Sequence, residues 1–141
     1  MGRFLCGTPT LLGLIALEWG VDLVLEADLK ELRKKAIKLS VIFIELMERQ
    51  CNKYGFKLAS PNNKSNRAGH VSFRHANGFS VSRALAADGV IGDFRVPDII
   101  RFGIAPIYTR YQDIYDAVER IKHVMKLEKW KQFDQKVTSY T

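Results

Sequence analysis

The sequence predicts an α+β domain: a small, mostly antiparallel sheet with helices packed on one face. Three observations point there. Two long segments, after Asp28 and after Thr109, repeat apolar residues at alternating steps of three and four, the period of a helix with one buried stripe. Several short runs, among them His70 to His75 and Ile99 to Ile104, alternate well enough for strands and are bounded by Gly, Pro and Asn. Helical and extended segments interleave without long linkers or internal repeats, an order that suits helices laid on one side of a small sheet.

The elements follow in order. Gly7-Thr8-Pro9 forms a turn into a first helix, with Thr8 as its cap and Pro9 suited to its first position; the helix runs to about Trp19 and Gly20 ends it. It is apolar almost all round, the pattern of a helix buried on several sides, so it is expected to pack against something outside this sequence. Asp28-x-x-Glu31 is a capping-box pattern. From it a long helix carries Leu29, Leu32, Ala36, Leu39, Phe43 and Leu46 as a continuous stripe to about Tyr54-Gly55. Phe56 to Leu58 is a short strand, and the polar stretch SPNNKSNRAG from Ser60 is a loop. His70 to His75 is a strand. Asn77 and Gly78 open a helix to about Asp88 with Val81, Ala84 and Leu85 facing inward, and Gly89 terminates it. Val90 to Phe94 and Ile99 to Ile104 are strands separated by Val96-Pro97-Asp98. Thr109-x-x-Gln112 is a second capping box, opening a helix whose stripe of Ile114, Val118, Ile121 and Met125 runs to about Trp130.

The 141 residues suit one domain with a core of its own, and 47% hydrophobic with 26% charged residues is the balance of a globular chain. The net charge of +7 invites a nucleic-acid reading. The basic residues are scattered, however. Their densest groups, Arg33-Lys34-Lys35 with Lys38 and Lys126 with Lys129 and Lys131, fall on helices with apolar opposite faces, so solvated helix surface explains them better. Cys6 and Cys51 sit in no metal or redox spacing and read as unpaired thiols. The apolar run from Leu11 to Leu17 is far short of the ~20 residues that span a bilayer, and it lacks the flanks of a secretion signal. The expectation is a cytoplasmic protein without a membrane segment.

The common catalytic signatures are missing: no GxxxxGK phosphate loop, no HExxH, no paired CxxC and no GxSxG. His70 and His75 lie five apart and, on one strand, would face opposite sides of the sheet, which argues against a shared metal. No lysine stands in an obviously buried setting of the kind a Schiff-base lysine needs; Lys57 on its short strand is the least implausible. The run GVIGDFRVPDIIRFGIAPIY from Gly89 holds Arg95 and Arg101. Arg101, between Ile100 and Phe102, needs an anionic partner. Either it pairs internally with Asp93, Asp98 or Asp113, or its planar fork grips a ligand carboxylate. Arg95, close to Asp93 and a turn, reads as a local structural pair.

Three segments resemble the kynureninase family, pyridoxal-phosphate enzymes of the aspartate-aminotransferase-like fold. RFLCGTPTLLGLIALEWGVDL from Arg3 is similar to the family's RFL-x-GTPP stretch and following helix. HVSFRHANGFSVSRAL from His70 is similar to its VSF-x-HP-x-G segment. GVIGDFRVPDIIRFGIAPIYTRYQDIYDAV from Gly89 is similar to its GVIGDFR-x-PD-x-x-RFG-x-x-PLY signature. Thr10 stands in place of the second proline of GTPP, and Ala76 in place of the proline after the histidine.

The resemblance implies a role in hydrolytic cleavage of L-kynurenine or 3-hydroxykynurenine to an anthranilate and L-alanine, in tryptophan catabolism and NAD synthesis. The cofactor would be pyridoxal 5'-phosphate, acting as an electron sink. By motif, Arg101 would bind the substrate α-carboxylate. Thr8 would lie beside the cofactor phosphate or the neighbouring subunit's substrate, since the family builds its site across a homodimer. Only the last part of the family's length is matched, so residues 1–26 correspond to a remnant of the large cofactor-binding domain and 27–141 to the C-terminal small domain. The family's Schiff-base lysine lies before the matched part. The expectation is therefore a C-terminal fragment that is not catalytic alone. The other readings are a non-catalytic module that assembles with a full-length or complementary chain, and, less favoured, a basic nucleic-acid binder.

Overall fold

In the computed structural model, which describes residues 10–133, four α-helices and four strands occur in the order α1 (Leu11–Leu25), α2 (Leu29–Cys51), β1 (Lys57–Leu58), β2 (His70–Arg74), α3 (Gly78–Ala87), β3 (Asp93–Arg95), β4 (Ile99–Gly103) and α4 (Tyr111–Lys126). The strands form one antiparallel sheet in the order β1-β2-β4-β3. The predicted α+β class, with a small antiparallel sheet and helices on one face, is the architecture found.

Alternation along the strands divides the sheet into two unlike faces. Val71 and Phe73 of β2 and Ile100 and Phe102 of β4 are buried, and they join the core with Leu39, Phe43 and Met47 of α2, Val81 and Leu85 of α3, and Val118 and Ile121 of α4. The Phe43 ring stands edge-on to Phe73 and Phe102, with centroids 5.9 and 5.2 Å apart. The other face carries Lys57, Arg74, Asp93, Arg95 and Arg101, which alternate with the core residues along the same strands.

Helix starts and stops follow local chemistry. The Asp28 carboxylate accepts from the Lys30 and Glu31 amides at 2.7 and 3.3 Å, capping α2 as predicted. Gly55, at φ +93°, turns the chain out of the short 3₁₀ turn that follows α2. Cys51, in the last turn of α2, is fully buried and unpaired.

Two expectations about helix ends need correction, and the first helix is uncovered within the described residues. Gly20 does not end the first helix, which continues to Leu25, because a single glycine costs only about 1 kcal/mol and Val21 to Leu25 carry the helix on. None of the residues of α1 is buried, and Leu11, Leu12 and Trp19 are more than 70% exposed. The last helix is capped one residue later than predicted. The Asp113 carboxylate accepts from the Arg110 amide at 2.7 Å, while the Gln112 side chain donates to Asp116.

Among the described residues, no helix is long and apolar enough to cross a membrane.

Candidate functional site

Arg101 lies on the open face of β4, with its side chain 36% exposed, and not in a buried strand interior. The β3–β4 register sets Asp93 directly across from it, and Arg95 across from Ile99. Asp93, Arg95 and Arg101 thus share one face. The Asp93 Oδ2 accepts from Arg101 Nε at 3.0 Å and from Arg101 Nη2. The same oxygen accepts from Arg95 Nε at 3.0 Å. Of the alternatives the sequence left open for Arg101, Asp93 is the internal partner. Arg95 forms the local pair expected of it. The hydrogen bonds from Arg101, with a smaller contribution from Arg95, hold the Asp93 carboxyl below its usual range, so it is ionised at neutral pH.

The neighbouring strand adds a second pair. Arg74 Nη1 donates to Asp98 Oδ1 and Oδ2 at 3.0 and 3.2 Å. With Lys57, which lies across from Arg74 in the β1–β2 register, this sheet face carries four cations against two carboxylates. A cleft of about 460 Å³ lies elsewhere, between the start of α4 and the Gly89 to Ile91 segment, and Arg101 does not line it. The arrangement leaves part of the Arg101 guanidinium without a partner among the described residues. The Asp93 carboxylate fastens one edge of the Arg101 guanidinium, and the remaining N–H groups at its end can meet a carboxylate in the bidentate geometry arginine favours.

His75 does not sit on β2, which ends at Arg74. The ring is buried, Nε2 lies 2.9 Å from the Tyr54 carbonyl, and Nδ1 accepts from the Asn77 amide at 3.1 Å. Nε2 therefore carries the proton and donates. Burial lowers the His75 pKa, opposed by the bond to Tyr54. The residue clamps the end of α2 to the start of α3. The His-x-Asn-Gly turn was the sequence signal for it. Among the described residues no cluster of His, Cys, Asp and Glu could hold a metal. Thr8 and Cys6 lie outside the described residues.

The lysines of residues 10–133 bear on whether a cofactor amine partner is at hand. A pyridoxal phosphate site brings together a lysine amine able to shed its charge, a carboxylate for the ring nitrogen and donors for the phosphate. Here Lys34, Lys122, Lys129 and Lys131 are tied to carboxylates, Lys35 donates to the Pro106 carbonyl, and Lys57 is exposed on the sheet.

The small antiparallel sheet backed by helices matches part of the fold of aminotransferases. The structure superposes on acetylornithine aminotransferase from Elizabethkingia anophelis with a TM-score of 0.56 at 17% identity, covering 70% of this chain and 25% of that one. It matches ornithine aminotransferase from Toxoplasma gondii with a TM-score of 0.55, also at 17% identity, over 72% of this chain and 25% of that one. This likeness is one of fold. The chain belongs to the kynureninase C-terminal domain family, whose sequence profile matches residues 32–121. It is 39% identical over 131 residues to kynureninase of Burkholderia mallei strain SAVP1, covering 93% of this chain and 32% of that protein. It is also 39% identical over 132 residues to kynureninase of Pseudomonas fluorescens, covering 94% and 32%. The chain thus spans about a third of the length of the curated relatives it matches.

Proposed function

We propose that residues 27–141 act as the small domain of a kynureninase and hold the α-carboxylate of L-kynurenine or 3-hydroxykynurenine through Arg101. Residues 1–26 then belong to the larger cofactor-binding domain, with Thr8 beside the phosphate of pyridoxal 5'-phosphate in a homodimeric site. The observation that carries this reading is Arg101 itself. It stands in the RFG segment of the matched family, on the open sheet face, with one guanidinium edge fastened and no partner at its end among the described residues. When bound, the cofactor supplies the electron sink for cleaving the substrate side chain with water to an anthranilate and L-alanine. The contribution of this chain is to fix the orientation of the amino acid by its acid group, so that the bond to be broken is presented in one geometry. On this reading the cofactor-holding groups lie in the part of the family's length outside the matched third, and the chain works only together with it.

The test grafts residues 10–133 onto Pseudomonas fluorescens kynureninase in place of its matching segment. Cofactor absorbance in the visible reports an intact assembly, and anthranilate formation reports function. Arg101→Lys keeps the charge but loses the planar fork, so KM for L-kynurenine should rise about tenfold or more, with cofactor absorbance unchanged. An unchanged KM refutes the role of Arg101.

A second reading, an assembly module, is favoured by one observation: α1 is apolar yet has no buried residue. A mass that rises with concentration for the chain, and returns to that of a monomer when Leu12 and Leu17 are replaced by Glu, would support it. A monomer at all concentrations would end it.

A further inference from the structure

We propose that Asp93 is a positioning residue: it fastens the Nε and Nη2 edge of Arg101 and so aims the free end of the guanidinium at an incoming carboxylate, while Arg95 on the same oxygen keeps the group cationic. The inference rests on the carboxylate-binding role of Arg101 and adds to it the residues that prepare the arginine. Arginine reaches its ligands on a long stem, and an unfastened guanidinium samples many orientations. Here the stem is anchored on β4 and the head is held by a carboxylate placed across from it in the register.

Stability does not explain the cluster. The side chains of Asp93, Arg95 and Arg101 are 47%, 60% and 36% exposed, and ion pairs that open to water contribute little to folding. Charge does explain it. A lone arginine–aspartate pair is neutral and offers an anion little attraction. Two guanidinium groups on one carboxylate leave a net charge of +1 at the place where the ligand acid would arrive. Both Arg101 nitrogens that meet Asp93 lie on one edge, so the Nη1 and Nη2 end retains a parallel pair of N–H donors.

The experiment follows the arginine Nε–H resonances of the 141-residue chain by nuclear magnetic resonance during titration with L-kynurenine and with its methyl ester. In the unsubstituted chain Arg101 should shift with the acid and not with the ester. Asp93→Ala should weaken binding about fivefold, the equivalent of one lost hydrogen-bonded contact, and speed solvent exchange of the Arg101 Nε–H. Asp93→Asn, whose amide oxygen accepts the same bonds, should recover most of the affinity. Arg95→Gln should weaken binding about twofold by removing charge alone. Equal binding by Asp93→Ala and the unsubstituted chain overturns the proposal. Tighter binding also overturns it, since Asp93 would then be a competitor for the fork. If the unsubstituted chain shows no acid-dependent shift, or if Arg101→Lys binds as well as it does, the carboxylate-binding role itself fails, a result distinct from failure at Asp93 alone.

Discussion

Replacing His75 by Ala should destabilise the domain by about 3–4 kcal/mol at pH 7.5. The substitution leaves the Tyr54 carbonyl and the Asn77 amide without the partners they have at 2.9 and 3.1 Å, worth about 1 kcal/mol each. It also removes a ring packed 5.0 Å from Phe56 and 6.3 Å from Trp130, centroid to centroid, worth about 2 kcal/mol of lost contact and cavity. The same residue makes stability depend on pH. Its pKa in the fold is below 6.5, so the unfolded chain takes up a proton that the folded chain refuses. The stabilisation is fully present above pH 6.5 and is lost as pH falls below it, with a slope of at most about 1.4 kcal/mol per pH unit. Asp88, Asp93 and Asp113 have pKa values lowered from 3.8, so their contributions fade only as pH falls below that value, outside the histidine window. Urea unfolding followed by tryptophan fluorescence at pH 7.5, 6.0 and 5.0 measures both effects. The difference between the unsubstituted and His75→Ala profiles should shrink as pH drops. A constant difference across that range, or a loss under about 1 kcal/mol at pH 7.5, refutes the reasoning.

Two further predictions test the fold around the site. A Cβ at Gly78 would come within 3.0 Å of the Phe94 ring and 3.1 Å of the Asp98 carbonyl, which is itself held by the His75 amide at 2.9 Å, so Gly78→Ala should cost about 1–3 kcal/mol; an unchanged or raised melting temperature would count against this packing. Asp28→Ala removes the two bonds that start α2 and should cost about 1 kcal/mol, read as a lower urea midpoint with unchanged steepness; an unmoved midpoint would show that the cap is dispensable.

Much of this architecture was legible because the signals were redundant. The stripe of α2 agreed with its Asp28 cap, and that of α4 with a capping pattern only one residue from the true one. Where a single signal spoke, it misled. Gly20 read as a stop, yet the helix formers after it prevail. In Thr109-Arg110-Tyr111-Gln112-Asp113 two capping patterns are offset by one residue, and the charged Asp113 takes the amide. Alternation continues through His75 and reads as strand, whereas the following turn pulls it inward. The pairing of Arg101 with Asp93 was within reach. The turn at Val96-Pro97-Asp98 centres the hairpin on Pro97, and counting outward from it pairs 95 with 99 and 93 with 101, as found. What counting could not supply is exposure. An arginine flanked by Ile100 and Phe102 looks buried in sequence, but those neighbours point to the opposite side of the sheet, and Arg101 lies at the open surface.

Cys51 gives the molecule an internal clock. Its sulfur is fully enclosed in the last turn of α2, and burial pushes the thiol pKa up to about 11, so at neutral pH the reactive thiolate is both scarce and out of reach. A thiol reagent can meet it only when the core parts. In a chain carrying Cys6→Ser, the rate of alkylation at Cys51 would time those openings directly and show whether a carboxylate ligand on the far side of the sheet slows them.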